Sequence, residues 1–151
     1  WSTYRLCNGT SSSFTKYATD SKYGIVDNKT ELDPEDDVAH VRMGGYWRMP
    51  TQSEWQNLYD GCTWTWTQEN GVNGYIVTSK KTGESIFLPA GGYKGEDKYV
   101  YDGIRGYYWT STLDWKLSDF ANHWYIRSDK YTWYNEYRYY GYNVRPVFGL
   151  K

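Results

Sequence analysis

After residue 62, hydrophobic and polar positions alternate with a period of two, which is typical of half-buried β-strands. Residues 64–67, Trp-Thr-Trp-Thr, show this alternation most clearly. Asn73-Gly74 is a turn signal, and residues 75–78 are expected to pair with 85–88 in a hairpin across 80–83. The other predicted segments are strands at 106–112, 121–127 and 141–148 and a Gly-rich loop at 89–105.

A helix is predicted before these strands, where Asp33 is followed by Pro34 and three further acidic residues. Asp is a favoured N-cap, Pro fits the first helical position, and acidic side chains favour the positive end of the helix dipole. The pair Gly44-Gly45 is expected to end the helix. Its predicted buried stripe consists of Val38, Ala39 and Val41.

A second helix is predicted from Thr51, which can form a capping box with Glu54 three residues later. Trp55, Leu58 and Tyr59 have the spacing of one helix face, and Gly61 is expected to close the helix. Two early helices followed by a mostly antiparallel sheet predict an α+β fold in a single domain, residues 1–151.

The composition and charge of the chain exclude some classes of function. Aromatic residues form 21% of the chain and all hydrophobic residues only 39%, so much of the core must consist of Trp and Tyr. The net charge of -1 provides no field that would attract nucleic acid. Nothing in the sequence is long and apolar enough for direct membrane insertion, and no leader is evident, so we expect a processed part of a longer protein.

The two cysteines, Cys7 and Cys62, leave two interpretations open. In a secreted chain they could form a disulfide, and in the cytosol they would be two buried thiols. The spacing does not decide between these states, and we favour the bridge.

The last third of the chain interleaves Trp and Tyr with Asn, Asp, Ser, His and Arg, a composition found in binding surfaces. Alternation over 121–127 predicts that Trp124 and Ile126 face the core and that His123, Tyr125 and Arg127 face outward. Asn122 falls on the inward side, which suggests a rim position or a shifted strand. An ordinary solvated sheet face is the alternative. The predicted ligand-binding residues are Asp114, Trp115, Lys116, Asp119, His123, Tyr125, Arg127, Asp129, Tyr131, Trp133, Tyr134 and Tyr137.

Metal and cofactor sites are not expected. His40 and His123 lack metal-ligand spacing and are interpreted as surface or rim residues. The acidic residues 33–37 could hold calcium, but helix-start electrostatics explains them and they lack the spacing of a calcium loop. Arg145 is expected to pair with a scaffold carboxylate such as Glu54. Arg48 is expected to pair with a scaffold carboxylate in the same way.

Residues 47–55, Trp-Arg-Met-Pro-Thr-Gln-Ser-Glu-Trp, resemble the Arg-(Leu/Met)-Pro-Thr-x-x-Glu-Trp segment of formylglycine-generating-enzyme-like domains. Those domains are a branch of the C-type lectin-like fold. The resemblance is closer to a subgroup abundant in gut Bacteroidetes, the Fibrobacter succinogenes major paralogous domain. The matching segments are 26–30, 32–39, 44–51, 62–67, 70–75, 85–90, 106–111 and 138–147.

This resemblance implies a C-type-lectin-like core in which the terminal strands meet and a small exposed sheet presents the carboxy-terminal segment. Members of the subgroup usually have a further strand before the equivalent of Trp1, so this domain is expected to lack that segment of its parent protein. The fold is also used by proteins that retroelements diversify. Residue types reachable from adenine-rich codons crowd 114–142 here.

The predicted function is therefore non-catalytic binding of a protein or glycan by an adhesin or receptor-binding domain. We expect the parent to be a secreted or surface-exposed bacterial or bacteriophage protein. Two alternatives remain open: an oxidase of the formylglycine-generating type, and a structural or pilus-associated module. The oxidases bind copper through two carboxy-terminal cysteines, whereas no cysteine follows Cys62 here.

Overall fold

A computed structural model describes residues 1–95 and 98–150. Within these residues the protein has an α+β fold, mostly sheet, with two α-helices and twelve β-strands. The helices are α1, Val38–Met43, and α2, Gln52–Gly61. The early strands are β1, Phe14–Ala18, β2, Gly24–Val26, and β3, Trp47–Arg48. The later strands are β4, Cys62–Glu69; β5, Val72–Ser79; β6, Ser85–Pro89; β7, Gly91–Lys94; β8, Tyr99–Asp102; β9, Arg105–Leu113; β10, Phe120–Arg127; β11, Lys130–Tyr137; and β12, Val147–Phe148.

The largest sheet is a curled half-barrel of five strands in the order β11-β10-β9-β7-β8. Its pairings are antiparallel except for the parallel contact between β7 and β9. The predicted strands 106–112 and 121–127 correspond to β9 and β10. The predicted loop 89–105 is wrong in part, because it contains β7 and β8. The short Gly-Gly-Tyr-Lys strand β7 has no apolar alternation that would have revealed it.

A separate three-stranded sheet is formed by β4, β5 and β6. The predicted pairing of 75–78 with 85–88 is confirmed, with Tyr75 opposite Leu88. The prediction of a turn at Asn73-Gly74 is wrong, because both residues lie within β5. The reversal occurs at Asn70 and Gly71, whose φ angles of 49° and 82° are left-handed. Two consecutive left-handed residues suit the tight hairpin that joins β4 to β5.

Helix α1 differs from its prediction. It starts at Val38, and its N-cap is Asp37, whose side chain accepts from the amides of Ala39 and His40. Residues 34–36 form a turn before it. The predicted stripe is also wrong, because only Ala39 is buried, while Val38 and Val41 are exposed. The predicted end at Gly44 is confirmed.

Helix α2 follows its prediction closely. Thr51 is the N-cap, and its reciprocal bonds with Glu54 form the capping box. Trp55 lies on the buried face of the helix, whereas Tyr59 is 41% exposed. The carboxylate of Glu54 also accepts from Arg48 at 2.6 and 2.7 Å, which fixes α2 to β3. Arg145 does not share this role: it is exposed, and its guanidinium donates to the Phe87 carbonyl at 3.4 Å instead of to Glu54.

The main core lies between α2, the three-stranded sheet and one face of the half-barrel sheet, which we call the inner face. Trp124 stacks on Trp55 with ring centroids 5.7 Å apart and an interplanar angle of 5°. Much of the core is aromatic, as the composition predicts. Its buried members are Trp55, Tyr75, Val77, Leu88, Tyr108, Trp124 and Ile126.

Gly106 of β9 makes the close packing of this sheet possible. A Cβ at this position would lie 2.6 Å from the Ile126 side chain and 3.0 Å from the Pro89 carbonyl oxygen. Only glycine fits there without moving backbone or core. A further finding concerns the last predicted strand. Strand β12 pairs with β3, so only 147–148 of the predicted strand 141–148 is regular.

The predicted disulfide is wrong, because Cys7 and Cys62 are both free. Cys7 is buried against the amino-terminal turns, where its Sγ donates to the carbonyls of Trp1 and Tyr4. Cys62 packs instead against the main core. The two thiols therefore belong to different clusters of the structure. No helix in the described part of the chain could span a bilayer.

Candidate ligand-binding site

The candidate site lies on the other side of the half-barrel sheet, which we call the outer face. Register places His123 of β10 opposite Trp109 of β9 and Tyr134 of β11. Tyr125, two residues along, lies opposite Tyr107. Directly opposed residues of antiparallel strands share a face, so these aromatic side chains form one continuous surface.

This surface encloses one side of a cavity of about 370 Å³, which we call the tyrosine cavity. Its volume lies in the range of small-ligand pockets. Four tyrosines contribute to the wall, and charged or amide side chains supply the rest. The lining residues are Arg105, Tyr107, His123, Tyr125, Arg127, Lys130, Tyr134, Asn135, Glu136 and Tyr142.

His123 forms the floor of the cavity and is 4% exposed. Its ring lies 4.8 Å from that of Tyr142 and 5.7 Å from that of Trp109. Burial disfavours the charged imidazolium and lowers the pKa of His123 to about 4. Its Nδ1 is buried and has no hydrogen-bond partner among the described residues. The prediction of a surface or rim histidine is therefore wrong.

Tyr125 is also more buried than predicted, at 8% exposure. Its ring makes edge contacts with Tyr107 at 5.3 Å and Tyr134 at 5.8 Å. The predicted separation of the two faces of β10 is correct, since Trp124 and Ile126 lie in the core. The outward direction of His123 and Tyr125 did not mean exposure, because aromatic side chains from the neighbouring strands, together with Tyr142, cover that face.

The covering segment is 140–143, whose backbone pairs with β7 at Gly141 and with β9 at Asn143, so that the Tyr142 side chain lies over the outer face. The amide of Asn143 anchors it by donating to the carbonyls of Gly92 and Tyr107 at 3.0 and 3.1 Å. Tyr142 stacks on Trp109, with centroids 4.4 Å apart. Burial raises the pKa of the Tyr142 hydroxyl, which therefore stays neutral. This segment turns a flat aromatic face into a cavity.

Cationic side chains gather at one end of the cavity. Arg127 of β10 lies opposite both Arg105 of β9 and Lys130 of β11. Arg127 pairs with Asp129 at 2.6 Å, and this pair lowers the pKa of Asp129. The ammonium of Lys130 lies 5.1 Å from the centre of the Tyr134 ring and donates to its hydroxyl.

The other end of the cavity carries Glu136 and Asn135. Glu136 accepts from the amide of Tyr137 at 3.0 Å, and its negative charge raises the pKa of nearby Tyr142 after the effect of burial. The cavity therefore has a positive and a negative end, with tyrosine rings between them.

Four of the twelve predicted site residues meet at this cavity: His123, Tyr125, Arg127 and Tyr134. Two others, Tyr131 and Trp133, belong to the inner face. Register places them opposite Ile126 and Trp124, and Tyr131 stacks on Trp64 at 4.8 Å. Asp129 sits in the β10–β11 turn.

The remaining predicted residues lie at the far end of β10. Asp114 caps a turn by accepting from the amides of Lys116 and Leu117 at 2.8 Å. Trp115 is 67% exposed beside the ammonium of Lys116. Asp119 is half-buried, and its main-chain carbonyl accepts from the Arg138 amide. Tyr137 packs against Phe120, with ring centroids 4.4 Å apart.

Six lining residues were not predicted: Arg105, Tyr107, Lys130, Asn135, Glu136 and Tyr142. Arg105 and Tyr107 alternate along β9, so pairing that strand with β10 in register would have found them. Lys130 and Glu136 lie on β11, a strand whose polar sequence gave no strand signal. Tyr142 lies outside any regular strand, and nothing local in the sequence indicates that it covers β10.

Asn122 was predicted to be a rim residue or to mark a shifted strand. The register between β9 and β10 shifts between Ala121 and His123. Asn122 is buried at this irregularity, where its Nδ2 donates to the Gln52 side chain at 2.8 Å. The shifted strand is the correct alternative. The hydrogen bond ties the end of the cavity strand to the start of α2.

The acidic group Asp33, Glu35 and Asp36 is a second cluster of possible ligand atoms. The ammonium of Lys16 lies 2.7–2.9 Å from all three carboxylates. Hydrogen bonds from Lys16 and Lys29 lower the pKa of Asp33 to about 2. Three protein cations, Lys16, Lys29 and Arg5, thus already pair with this cluster, and helix-start electrostatics applies only to Asp37.

Comparison with protein-family models, curated proteins and solved structures found no match for this chain. The tyrosine cavity is therefore the feature of the molecule that indicates a function. Its rings offer flat apolar area, its hydroxyls and amides offer hydrogen bonds, and its ends offer opposite charges. These are the elements of a recognition site for a polar ligand with an apolar face.

Proposed function

We propose that this chain is a non-catalytic ligand-binding module that recognises a protein or glycan through the tyrosine cavity, as an adhesin or receptor-binding domain. The observation that carries the proposal is the convergence of four tyrosines from four separate parts of the chain on one cavity. Such rings provide rigid contact area with a small loss of conformational entropy on binding.

Pre-organisation supports binding as the role of the site. The ring of Tyr107 packs edge to face on the ring of Tyr125, with centroids 5.3 Å apart, and lies tilted against the ring of Tyr142 at 4.8 Å. A ligand would meet side chains already held in place, so little of its contact energy would be lost in ordering them. His123, with its pKa near 4, would serve as a neutral hydrogen-bonding group.

We further propose that the domain has a C-type-lectin-like fold of the formylglycine-generating-enzyme-like subtype, related to the Fibrobacter succinogenes major paralogous domain. The family-like segment 47–55 supports this, since it forms β3 and the capped start of α2. The pairing of β12 with β3 also suits a fold whose late and early strands meet. In a secreted or surface protein, programmed diversification would act on the residues lining the cavity.

A binding screen with matched variants tests the proposed function. The wild-type domain and Tyr125→Ala would be applied to arrays of glycans and of bacterial and host surface proteins, and hits would be titrated by calorimetry. We expect at least one ligand whose affinity falls tenfold or more in Tyr125→Ala. Arg145→Ala, which changes an exposed arginine away from the cavity, should bind as wild type does. Hits that Tyr125→Ala binds equally well would contradict a function located in the cavity.

A further inference from the structure

Three cationic side chains occupy a single row across the outer face of the half-barrel sheet. Arg105, Arg127 and Lys130 come from three adjacent strands, and each flanking residue lies directly opposite Arg127 in the register. Like charges placed directly opposite each other across strands destabilise a sheet. A row of this kind therefore needs a counter-charge to offset the repulsion.

The described residues supply only part of that counter-charge. Asp129 binds Arg127 with two hydrogen bonds of 2.6 and 2.9 Å. Arg105 instead lies on the ring of Tyr101, with its guanidinium carbon 3.9 Å from the ring centre. Its Nε is buried, and no hydrogen-bond partner for it occurs in residues 1–95 and 98–150.

Lys130 is also without a carboxylate in the salt bridges found in the described chain, and its ammonium rests on Tyr134. Arg105 also forms a side-chain hydrogen bond with Tyr107, so tyrosine side chains hold both cations at the rim of the cavity, and neither has a salt bridge within the described residues. Rings attract cations weakly at exposed sites, by about 0.5–1 kcal/mol, and leave room for an anion on the other side. Arginine in particular can bind a carboxylate through two parallel hydrogen bonds.

The rest of the cavity indicates what should carry the anion. Glu136 makes the opposite end negative, so an anionic group is directed towards Arg105 and Lys130. Tyr107, Tyr125 and Tyr134 lie between the two ends. The faces and hydroxyls of such rings suit a saturated ring with apolar C–H groups and polar hydroxyls. A sugar has both, and the cavity volume suits a short saccharide better than a folded protein surface.

We infer that the tyrosine cavity binds an acidic sugar, with the carboxylate at Arg105 and Lys130 and the sugar ring against Tyr125 and Tyr134. This inference rests on the proposed function, which it narrows from a protein or glycan to a carboxylated glycan. Uronic acids and sialic acids both carry a carboxylate, and the ligands titrated in the test distinguish between these two kinds of sugar.

The test compares ligands that differ only in charge. Wild-type protein would be titrated by calorimetry with trigalacturonic acid and its methyl ester, and with sialyllactose and its methyl ester. We expect one acid to bind at least tenfold more tightly than its neutral counterpart, and the pair that shows this preference identifies the source. Raising the salt concentration should weaken binding of the acid and leave the neutral sugar almost unchanged.

Variants of Arg105 and Lys130 test whether these two cations cause the preference for the acid. Arg105→Gln should reduce the preference for the acid over its neutral counterpart about tenfold. Lys130→Gln changes an exposed side chain and provides the same test if Arg105→Gln fails to fold, as checked by circular dichroism. Arg145→Gln is the control and should bind both forms as wild type does.

The outcomes separate this inference from the proposed function. Equal binding of acidic and neutral sugars through Tyr125 would overturn the acidic-sugar inference and leave the binding function intact. A protein ligand that depends on Tyr125, with no binding of any of the four sugars, would have the same consequence. Failure of every glycan and protein in the screen to depend on the cavity would overturn both.

Discussion

The two faces of the half-barrel sheet use similar residues for different purposes. Trp124 and Tyr125 are neighbours on β10, and they are 1% and 8% exposed. Trp124 is buried because α2 and the three-stranded sheet pack on it. Tyr125 is buried because the rings of Tyr107 and Tyr134 pack against it, and it still lines a cavity.

This difference shows that burial alone does not distinguish a core from a site. On the inner face the covering layer has its own secondary structure and leaves the core densely packed. On the outer face the covering layer consists of aromatic side chains, including Tyr142 from a segment that pairs with β7 and β9, and a cavity remains between the rings. We therefore expect inner-face residues to determine stability and outer-face residues to determine binding.

The largest expected effect is the difference in stability between variants of these two neighbours. Trp124→Ala should lower the free energy of unfolding by about 3–5 kcal/mol, because it leaves an enclosed void in the core. Tyr125→Ala should cost only about 1–2 kcal/mol, because the space it leaves joins a cavity that already exists. Urea denaturation of both variants measures the difference. Equal losses would show that the outer face is as much a core as the inner face.

A second prediction concerns the attachment of α2, which covers the inner face. Arg48→Met should lower stability by about 3 kcal/mol, because it leaves Glu54 without its two short bonds in a partly buried site. Arg145→Met, on an exposed side chain, should change stability by less than about 0.5 kcal/mol. Thermal unfolding of the pair is the measurement. A comparable loss in Arg145→Met would support the pairing that the sequence suggested.

The third prediction uses the buried histidine of the outer face. Its pKa is lowered from 6.5 to about 4 on folding, so between these values the unfolded chain binds a proton that the folded chain does not. Stability should fall as the pH drops from 6.5 to 4, by about 2–3 kcal/mol, and this contribution should be constant above that window.

The check is the stability of wild type and His123→Gln at pH 7.0 and 4.5, measured by urea denaturation. The variant should lose most of the pH dependence in this window. His40→Gln is the matched control and should retain it. A fall of the same size in His123→Gln would mean that other groups cause the pH dependence, and that His123 is more accessible than its 4% exposure indicates.

Much of the fold follows from local chemistry and could be predicted. The Thr51–Glu54 capping box needs only residues three apart, and the hairpin of β5 and β6 needs only a turn and two apolar strands. Alternation along β10 also assigned Trp124 and Ile126 to the core correctly. These signals depend on neighbours in sequence, so one chain is enough to read them.

The errors concern contacts between distant segments. The pattern in β10 gives the direction of His123 but not what covers it, because Tyr142 lies nineteen residues later and in no regular strand. The polar strand β11 was missed for a similar reason, since pairing with β10 forms it rather than its own composition. Asn73-Gly74 and Asn70-Gly71 are equal turn signals, and only the pairing of β4 with β5 selects the second.

The most direct test of the account uses another pair of neighbours, Trp133 and Tyr134 on β11. They are 45% and 43% exposed, but Tyr134 lines the cavity whereas Trp133 lies on the inner-face side. With any ligand from the screen, titration calorimetry should show at least a tenfold loss of affinity for Tyr134→Ala and less than a twofold change for Trp133→Ala. Equal losses, or a larger loss for Trp133→Ala, would contradict a binding site in the tyrosine cavity.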